Sequence, residues 1–286
     1  MDININSVKS VFLECIYINQ EDDSENVLST ATGFLLEKDE KVFLITNKHV
    51  VTGKNTFTGE LLDKNGRVPN FLKAYTYNEI ERNNIIQYLF ANETIISLYK
   101  NDEPIKSEKL WIEHPKYNGI IDIAAVNITD YCLNRCNVIF DVNDKDCTVK
   151  NSSFDFVKHV NYNFNFKVTD DVFIVGFPFS YMTTSSDGYL PIWTKGTIAS
   201  EYNKELVVPL DAIYKGKEYF KVPGFLVDAK TREGQSGSPV IANIKDNTVL
   251  LGIYSGRTNK NIDLGYVWKS KLIDEIISQK INEIDS

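Results

Sequence analysis

Cysteine is scarce in this sequence, which has 4 cysteines among 286 residues and no regular spacing between them. Small secreted domains that rely on disulfides carry a dense cysteine framework, so we expect reduced thiols and a cytoplasmic location. Cys132, Cys136 and Cys147 could supply part of a metal site, but they lack a fourth ligand at metal-site spacing, and His159 is the only histidine nearby. Buried or idle thiols are the commoner case, so we expect no metal and no cofactor.

Long apolar runs are missing as well. The N-terminal segment carries Asp2 and Glu14 and no basic cluster, which is not the pattern of a signal peptide. No stretch approaches the roughly 20 apolar residues that cross a bilayer, so we expect no membrane partner. The formal net charge is −8, whereas nucleic-acid binding usually needs a concentrated basic face. We therefore expect no nucleic-acid partner.

The residues that are present describe a folded, strand-rich protein. Hydrophobic residues make up 43% of the chain and aromatic residues 12%, which is typical of a globular protein. Short apolar runs bounded by turn residues predict β-strands in two groups, one before and one after a polar stretch at residues 129–167. Helical spacing of apolar residues predicts helices only at residues 78–90 and 270–284.

Three short segments carry side chains suited to nucleophilic catalysis. His49 follows one apolar run, Asp122 opens another, and Ser236 lies in the segment Gly-Gln-Ser-Gly-Ser-Pro that begins at Gly234. Each segment alone is more often structural than functional. Acyl transfer by a serine needs a base, a carboxylate that orients the base, and N–H donors for the oxyanion, and the three segments together supply these parts. The order His, Asp, Ser is not that of α/β-hydrolases.

Taken together, the segments resemble those of the trypsin-like serine peptidases with the chymotrypsin fold, especially the bacterial HtrA-type proteases and the glutamyl endopeptidases. Further segments match in order and spacing, at residues 32–36, 172–178, 194–200, 226–239 and 251–256. The resemblance implies an all-β fold of two six-stranded antiparallel β-barrels, with an inserted helical loop and a C-terminal helix. The implied divisions are an N-terminal barrel at 1–128 with an insertion at about 53–110, a linker at 129–167 and a C-terminal barrel at 168–286.

The same resemblance implies a role for each matching residue. Ser236 would be the nucleophile, His49 the general base and then acid, and Asp122 the carboxylate that orients the histidine. The N–H groups of Gly234 and Ser236 would form the oxyanion hole. The residues that would bind substrate are Lys230, Thr231, Tyr254, Ser255, Gly256 and Arg257. Among these, the Ser255 hydroxyl would support Asp122, and the main chain of residues 254–256 would pair with an extended peptide.

Two departures from the family pattern concern activation and the PDZ domain. Gln235 stands where trypsin-type zymogens have an aspartate that pairs with a newly cleaved N-terminus. A neutral amide cannot form that ion pair, so we expect no activation by N-terminal cleavage. One predicted helix follows Trp268, and we expect no PDZ domain of the kind that HtrA proteins carry.

The sequence leaves specificity and partners open. A carboxylate at the base of the primary pocket gives cleavage after Lys or Arg, and Lys230 stands there instead, so basic specificity is disfavoured. Lys230 and Arg257 together would favour an acidic residue, whereas a Lys230 side chain that reaches solvent would leave a small apolar pocket. We expect a protein or peptide substrate, with control by a regulatory partner or by narrow specificity. The alternative is a catalytically silent member that binds peptides in the cleft.

Overall fold

The computed structural model describes residues 3–82, 85–102, 104, 107–115, 119–131, 147–160, 164–185, 188–209, 219–244, 247–258 and 262–284. Strands dominate these ranges, as the alternating apolar runs predict. The strands form two large sheets that pack on each other, and the all-β fold class is confirmed.

The first sheet has nine strands. In chain order they are β1 (Ser10–Ile18), β2 (Glu25–Lys38), β3 (Lys41–Thr46), β4 (Phe71–Arg82), β5 (Ile85–Ser97), β6 (Trp111–Glu113), β7 (Ala124–Asn127), β8 (Cys147–Asn151) and β9 (Phe154–Asp155). Their order in the sheet is β5-β4-β1-β2-β3-β7-β6, with β8 paired to β4 and β9 paired to β2. The sheet curls into a half-barrel, which together with the closed barrel of the second half gives the expected double-barrel architecture, with nine strands here where we expected six.

The second half of the chain forms a closed barrel of six strands, as predicted. The strands of this half are β10 (Asp171–Gly176), β11 (Thr183–Ser185), β12 (Gly188–Leu190), β13 (Ile192–Ile198), β14 (Leu206–Pro209), β15 (Tyr219–Val222), β16 (Gly224–Ala229), β17 (Pro239–Ile244), β18 (Asn247–Arg257) and β19 (Leu264–Lys269). The barrel order is β10-β13-β16-β19-β18-β17, and two small ladders, β11-β12 and β14-β15, lie outside it.

The helix predicted at residues 78–90 is wrong, because this segment belongs to β4 and β5. Apolar spacing in a short run fits either element, and here β-branched and aromatic residues favour a strand. Pairing settles the choice, since β4 bonds to β5 along one edge and to β1 and then β8 along the other. The expected insertion is therefore a hairpin that extends the first sheet, not a helical loop.

The stretch expected to be a linker contributes strands β8 and β9 to the first sheet and also holds a helix of four residues, α2 (Phe156–His159). The helix of five residues, α1 (Lys48–Thr52), comes earlier in the chain. Cys132 and Cys136 lie outside the described residues. Within those residues, no group of three histidine, cysteine or acidic side chains is arranged to hold a metal ion. The described helices include none that is long and apolar enough to cross a membrane.

One apolar core joins the two sheets. It combines Phe34 and Ile45 of the first sheet with Ile241 and Trp268 of the barrel. The predicted C-terminal helix, α3 (Ser270–Ile284), is confirmed and buries four apolar side chains in this core: Leu272, Ile273, Ile276 and Ile277. Because the sheets share a core, residues from both can meet at fixed positions in the cleft between them.

Candidate active site

The first sheet brings His49 and Asp122 together. β3 pairs with β7, with Thr46 opposite Ala124, and His49 lies just after β3 while Asp122 lies just before β7. The Asn47 side chain is fully buried and donates a hydrogen bond to the main-chain oxygen of Asp122 at 2.7 Å. The register of one strand pair therefore unites two residues that are 73 positions apart.

The Asp122 carboxylate accepts four hydrogen bonds. Its Oδ2 lies 2.7 Å from His49 Nδ1 and accepts from Ser255 Oγ at 2.6 Å. Its Oδ1 accepts from the His49 main-chain N–H at 2.9 Å and from Thr56 Oγ1 at 2.6 Å. The Asp122 side chain is only 3% exposed, and such a buried carboxylate is stable only with several donors of this kind.

Asp122 raises the pKa of His49, and His49 lowers the pKa of Asp122. Burial alone would lower the pKa of His49, but the charge and hydrogen bond of Asp122 outweigh burial, and the pKa is raised above 6.5. Burial would likewise raise the pKa of Asp122, yet His49, Ser255 and Thr56 together lower it from 3.8 to about 2. Asp122 is therefore ionised at neutral pH, and it orients His49 so that Nδ1 faces the carboxylate and Nε2 faces away.

Ser236 follows a tight turn in the barrel. The turn spans residues 232–235 and is closed by a hydrogen bond from Gln235 N–H to the Arg232 oxygen at 3.3 Å. Gly234, the third residue of the turn, has φ +89°, which is the value that a type II turn requires and that glycine adopts without strain. A Cβ at this position would lie 2.4 Å from the main-chain oxygen of Phe177, so no other residue fits.

Main-chain carbonyls of this segment are held away from the cleft. The Glu233 oxygen accepts from Phe179 N–H at 2.6 Å, and the Gln235 oxygen accepts from Ser238 N–H at 3.0 Å. In a trans peptide the N–H points opposite to the C=O, so the N–H groups of Gly234 and Ser236 face the other way. Within the part of the chain that the structure describes, neither N–H has a protein acceptor. Two donors are thus available beside Ser236.

One residue links Ser236 to the Asp122 network. The Ser236 hydroxyl donates to the main-chain oxygen of Ser255 at 3.2 Å, and the Ser255 hydroxyl in turn donates to Asp122. His49, Asp122, Ser236 and Ser255, all expected from the sequence, are therefore joined by one set of hydrogen bonds, and Gly234 lies two residues before Ser236 in the chain. The Ser236 hydroxyl points at Ser255 in this conformation and not at His49.

The expected substrate-binding residues do not all lie together. Gly256 and Arg257 line a cleft of about 330 Å³ that also contains His49 and Asp122. Thr231 and Tyr254 are buried and their hydroxyls lie 2.5 Å apart. Lys230 is exposed, whereas its chain neighbour Thr231 is buried.

Sequence reasoning missed several contacts of the site. Thr56 donates to Asp122, Thr194 accepts from Gln235, and Thr32 uses both its hydroxyl and its N–H to bind residues 234 and 236. Thr32 and Thr194 each begin a segment that resembles the family, but threonine is common, and neither segment indicates that its threonine bonds to the turn at residues 232–235. Only the folded arrangement of strands brings them to the site.

A family model described as "Trypsin-like peptidase domain" matches residues 31–253. Among solved structures, the active form of Rv3671c, a protease of M. tuberculosis, is 15% identical with a TM-score of 0.47, over 95% of this chain and 80% of that one. A serine endoprotease of Yersinia pestis is 13% identical with a TM-score of 0.49, over 99% of this chain and 68% of that one. No curated protein matches significantly. Since the family model spans most of the chain, the protein belongs to the family of trypsin-like peptidase domains and is a trypsin-like serine endopeptidase.

Proposed function

We propose that the protein hydrolyses peptide bonds of protein substrates through an acyl-enzyme intermediate, with Ser236 as nucleophile, His49 as base and acid, and Asp122 as the orienting carboxylate. The observation that carries the proposal is the 2.7 Å contact of His49 Nδ1 with an ionised Asp122. This contact holds the proton on Nδ1 and leaves Nε2 free to accept one. The described residues hold no other histidine in contact with a buried aspartate.

The reaction begins when the Ser236 hydroxyl turns from Ser255 toward His49 Nε2. Ser236 Oγ then bonds to the carbonyl carbon of the substrate while its proton passes to Nε2. The oxyanion that forms accepts hydrogen bonds from the N–H groups of Gly234 and Ser236. The C–N bond breaks as the proton on Nε2 passes to the leaving amine, and water repeats the sequence to release the acid and restore Ser236.

The edge of β18 supports an extended substrate. Its partner β17 pairs only as far as Ile253, so residues 255–257 have no β17 neighbour on that side. The region around Gly256 is open, because, apart from its two chain neighbours, no atom of the described residues lies within 4 Å of the position that a Cβ would occupy there. A peptide added at this edge would run past Ser236 as a further strand.

Specificity rests on the cleft beside His49. Its apolar walls include Phe57, Leu62 and Val208, and Arg257 lines it as well. Our proposal keeps both earlier alternatives, an acidic or a small apolar residue before the cleaved bond, but assigns any charge recognition to Arg257 and not to the exposed Lys230. A peptide library that varies only this residue tests the assignment. Acidic preference that falls in Arg257→Ala and persists in Lys230→Ala supports it, whereas efficient cleavage after Arg contradicts it.

The catalytic proposal is tested with a fluorophosphonate probe and a fluorogenic protein substrate. Wild type should label at one serine and turn over substrate, and Ser236→Ala should do neither. Ser238→Ala is the matched control, because Ser238 is fully buried and its hydroxyl has no partner among the described residues. Labelling that survives in Ser236→Ala would contradict the proposal.

A second candidate is a silent module that binds peptides in the cleft. The Ser236 hydroxyl favours it in one respect, because it donates to Ser255 and not to His49 in this conformation. Peptide binding without probe labelling or turnover would support this candidate. We also propose a cytoplasmic location, because cysteine is scarce. We further propose control through narrow specificity or a partner protein, because an unregulated protease is hazardous to the cell.

A further inference from the structure

Gln235, the residue before the proposed nucleophile, has no exposed surface, and both ends of its amide are used. The Oε1 atom accepts a hydrogen bond from Arg232 N–H at 2.8 Å, and the Nε2 atom donates to Thr194 Oγ1 at 2.9 Å. Thr194 lies on β13, in the wall of the closed barrel. The side chain therefore joins the turn of residues 232–235 to a rigid strand.

The amide also ties the two ends of the turn to each other. Gln235 N–H donates to the Arg232 oxygen, and Arg232 N–H donates to the Gln235 side chain. Two hydrogen bonds therefore join the first and last residues of the turn that contains Gly234. A β-turn of this kind can otherwise exchange between types I and II by rotation of its central peptide. That rotation would reverse the direction of Gly234 N–H and remove one donor from the cleft.

The position of the turn decides which orientation of its central peptide is stable. At its present place, the Glu233 oxygen meets Phe179 N–H at 2.6 Å and the Gly234 oxygen meets Thr32 Oγ1 at 2.7 Å. Both bonds would be lost if the turn moved away from the barrel, and the bond of the Glu233 oxygen would also be lost if the central peptide, which joins Glu233 to Gly234, reversed. The Gln235–Thr194 bond keeps the turn where these two contacts form.

The amide needs no charged partner to do this. A carboxylate in the same buried place would require a cation, because an unpaired buried charge is far more costly than a hydrogen-bonded amide. Gln235 donates once and accepts once, and both partners are neutral groups of the folded chain. The turn is complete without any group that is created by cleavage of the chain.

We propose that Gln235, anchored on Thr194, is a positioning residue that holds the turn of residues 232–235 with Gly234 N–H directed at the substrate, so that the site is formed without a new N-terminal amine. The inference rests on the proposed function of the Gly234 and Ser236 N–H groups. It predicts that loss of the Thr194 hydroxyl affects the transition state more than substrate binding.

The test compares Thr194→Val, which removes the acceptor, with Thr194→Ser, which keeps a hydroxyl. Thr197→Val, the same change three residues along β13, controls for stability. Thr194→Val should lower kcat at least tenfold with KM within about twofold, since loss of one oxyanion donor typically costs 10²- to 10³-fold and the donor is here only loosened. Thr194→Ser and Thr197→Val should stay within about twofold of wild type.

A second measurement does not depend on activity. With glycine labelled by ¹⁵N, the amide resonance of Gly234 should be shifted or broadened in Thr194→Val and unchanged in Thr194→Ser. Equal kcat in the valine and wild-type proteins, or an unchanged Gly234 resonance, overturns the inference. If the wild type shows no turnover that depends on Ser236, the proposed function fails, while the resonance still decides the role of Gln235.

The N-terminus provides the last comparison. An added N-terminal tag should leave kcat within about twofold of the untagged protein, because the turn needs no free amine. Activity that appears only after the tag is removed overturns the inference.

Discussion

The contact between Thr56 and Asp122 gives a sharp test of the hydrogen-bond network. Thr56→Val keeps the shape of the side chain and removes the hydroxyl that donates to Asp122 Oδ1 at 2.6 Å. Asp122 then retains three donors, from the main chain and ring of His49 and from Ser255. Since both bonds of His49 to Asp122 remain, we expect kcat to fall by about tenfold or less, while the folded state loses stability.

The size of the loss follows from the burial of Asp122. Hydrogen bonds to charged groups contribute about 1.5–3 kcal/mol, and Thr56 is the smallest of the causes that lower the Asp122 pKa, so we expect about 1.5 kcal/mol. For a protein of this size that corresponds to a decrease in Tm of roughly 3–6 °C. The pKa of Asp122 should also rise from about 2 toward 3.8.

The direction of the pH effect is fixed by the sign of that shift. A lowered folded-state pKa gives stability that is present above about pH 4 and is lost as pH falls through about 2. In Thr56→Val the folded-state pKa is higher, so this contribution should be smaller and its loss should be complete at a higher pH. Thermal unfolding at pH 7 and at pH 3, beside Thr56→Ser as the control, measures both effects. If the valine protein unfolds with wild type at both pH values, or the serine protein loses as much as the valine protein, the contact does not stabilise Asp122.

Three further outcomes are expected. Ser236→Ala and His49→Ala should each abolish cleavage of a fluorogenic peptide, and the double variant should be no worse, because the groups act as a unit; substantial activity in Ser236→Ala would refute the assignment. Gly234→Ala should lower kcat by about 10²-fold or more, because its Cβ would lie 2.4 Å from a main-chain oxygen, and steady-state kinetics with wild-type values would count against the turn described here. Activity should rise with pH through a His49 pKa above 6.5, and in Asp122→Asn this limb should move to lower pH together with a large loss of kcat; a flat profile from pH 5 to 8 is incompatible with a histidine base.

The residues to which we assign the chemistry were predictable because each lies in a short segment with its own local signal. His49 and Asp122 border strands, and Ser236 follows a glycine whose positive φ the turn demands. The strands of the closed barrel were predictable for a similar reason, since each is a short apolar run between turns. In both cases the information needed is contained within about ten residues of the chain.

The failures have a shared physical cause. At residues 78–90 the local spacing of apolar side chains fits a helix, but hydrogen bonds to β1, β5 and β8 decide for a strand, and those partners are distant in sequence. The first sheet therefore has more strands than expected. A short run is ambiguous whenever tertiary pairing can outweigh its propensity.

The same argument explains why the sequence indicates the reacting groups better than the groups that hold them in place. A nucleophile, a base and an oxyanion turn each constrain their neighbours, so their segments are recognisable. Thr56, Thr194 and Thr32 contribute one hydroxyl each, and many side chains in many positions could supply the same bond. Lys230 illustrates the converse, because its charge is visible in the sequence while its exposure is a property of the folded chain. Specificity and positioning in this protein are therefore properties of the folded barrel, and tests of them must change one hydroxyl or one charge at a time.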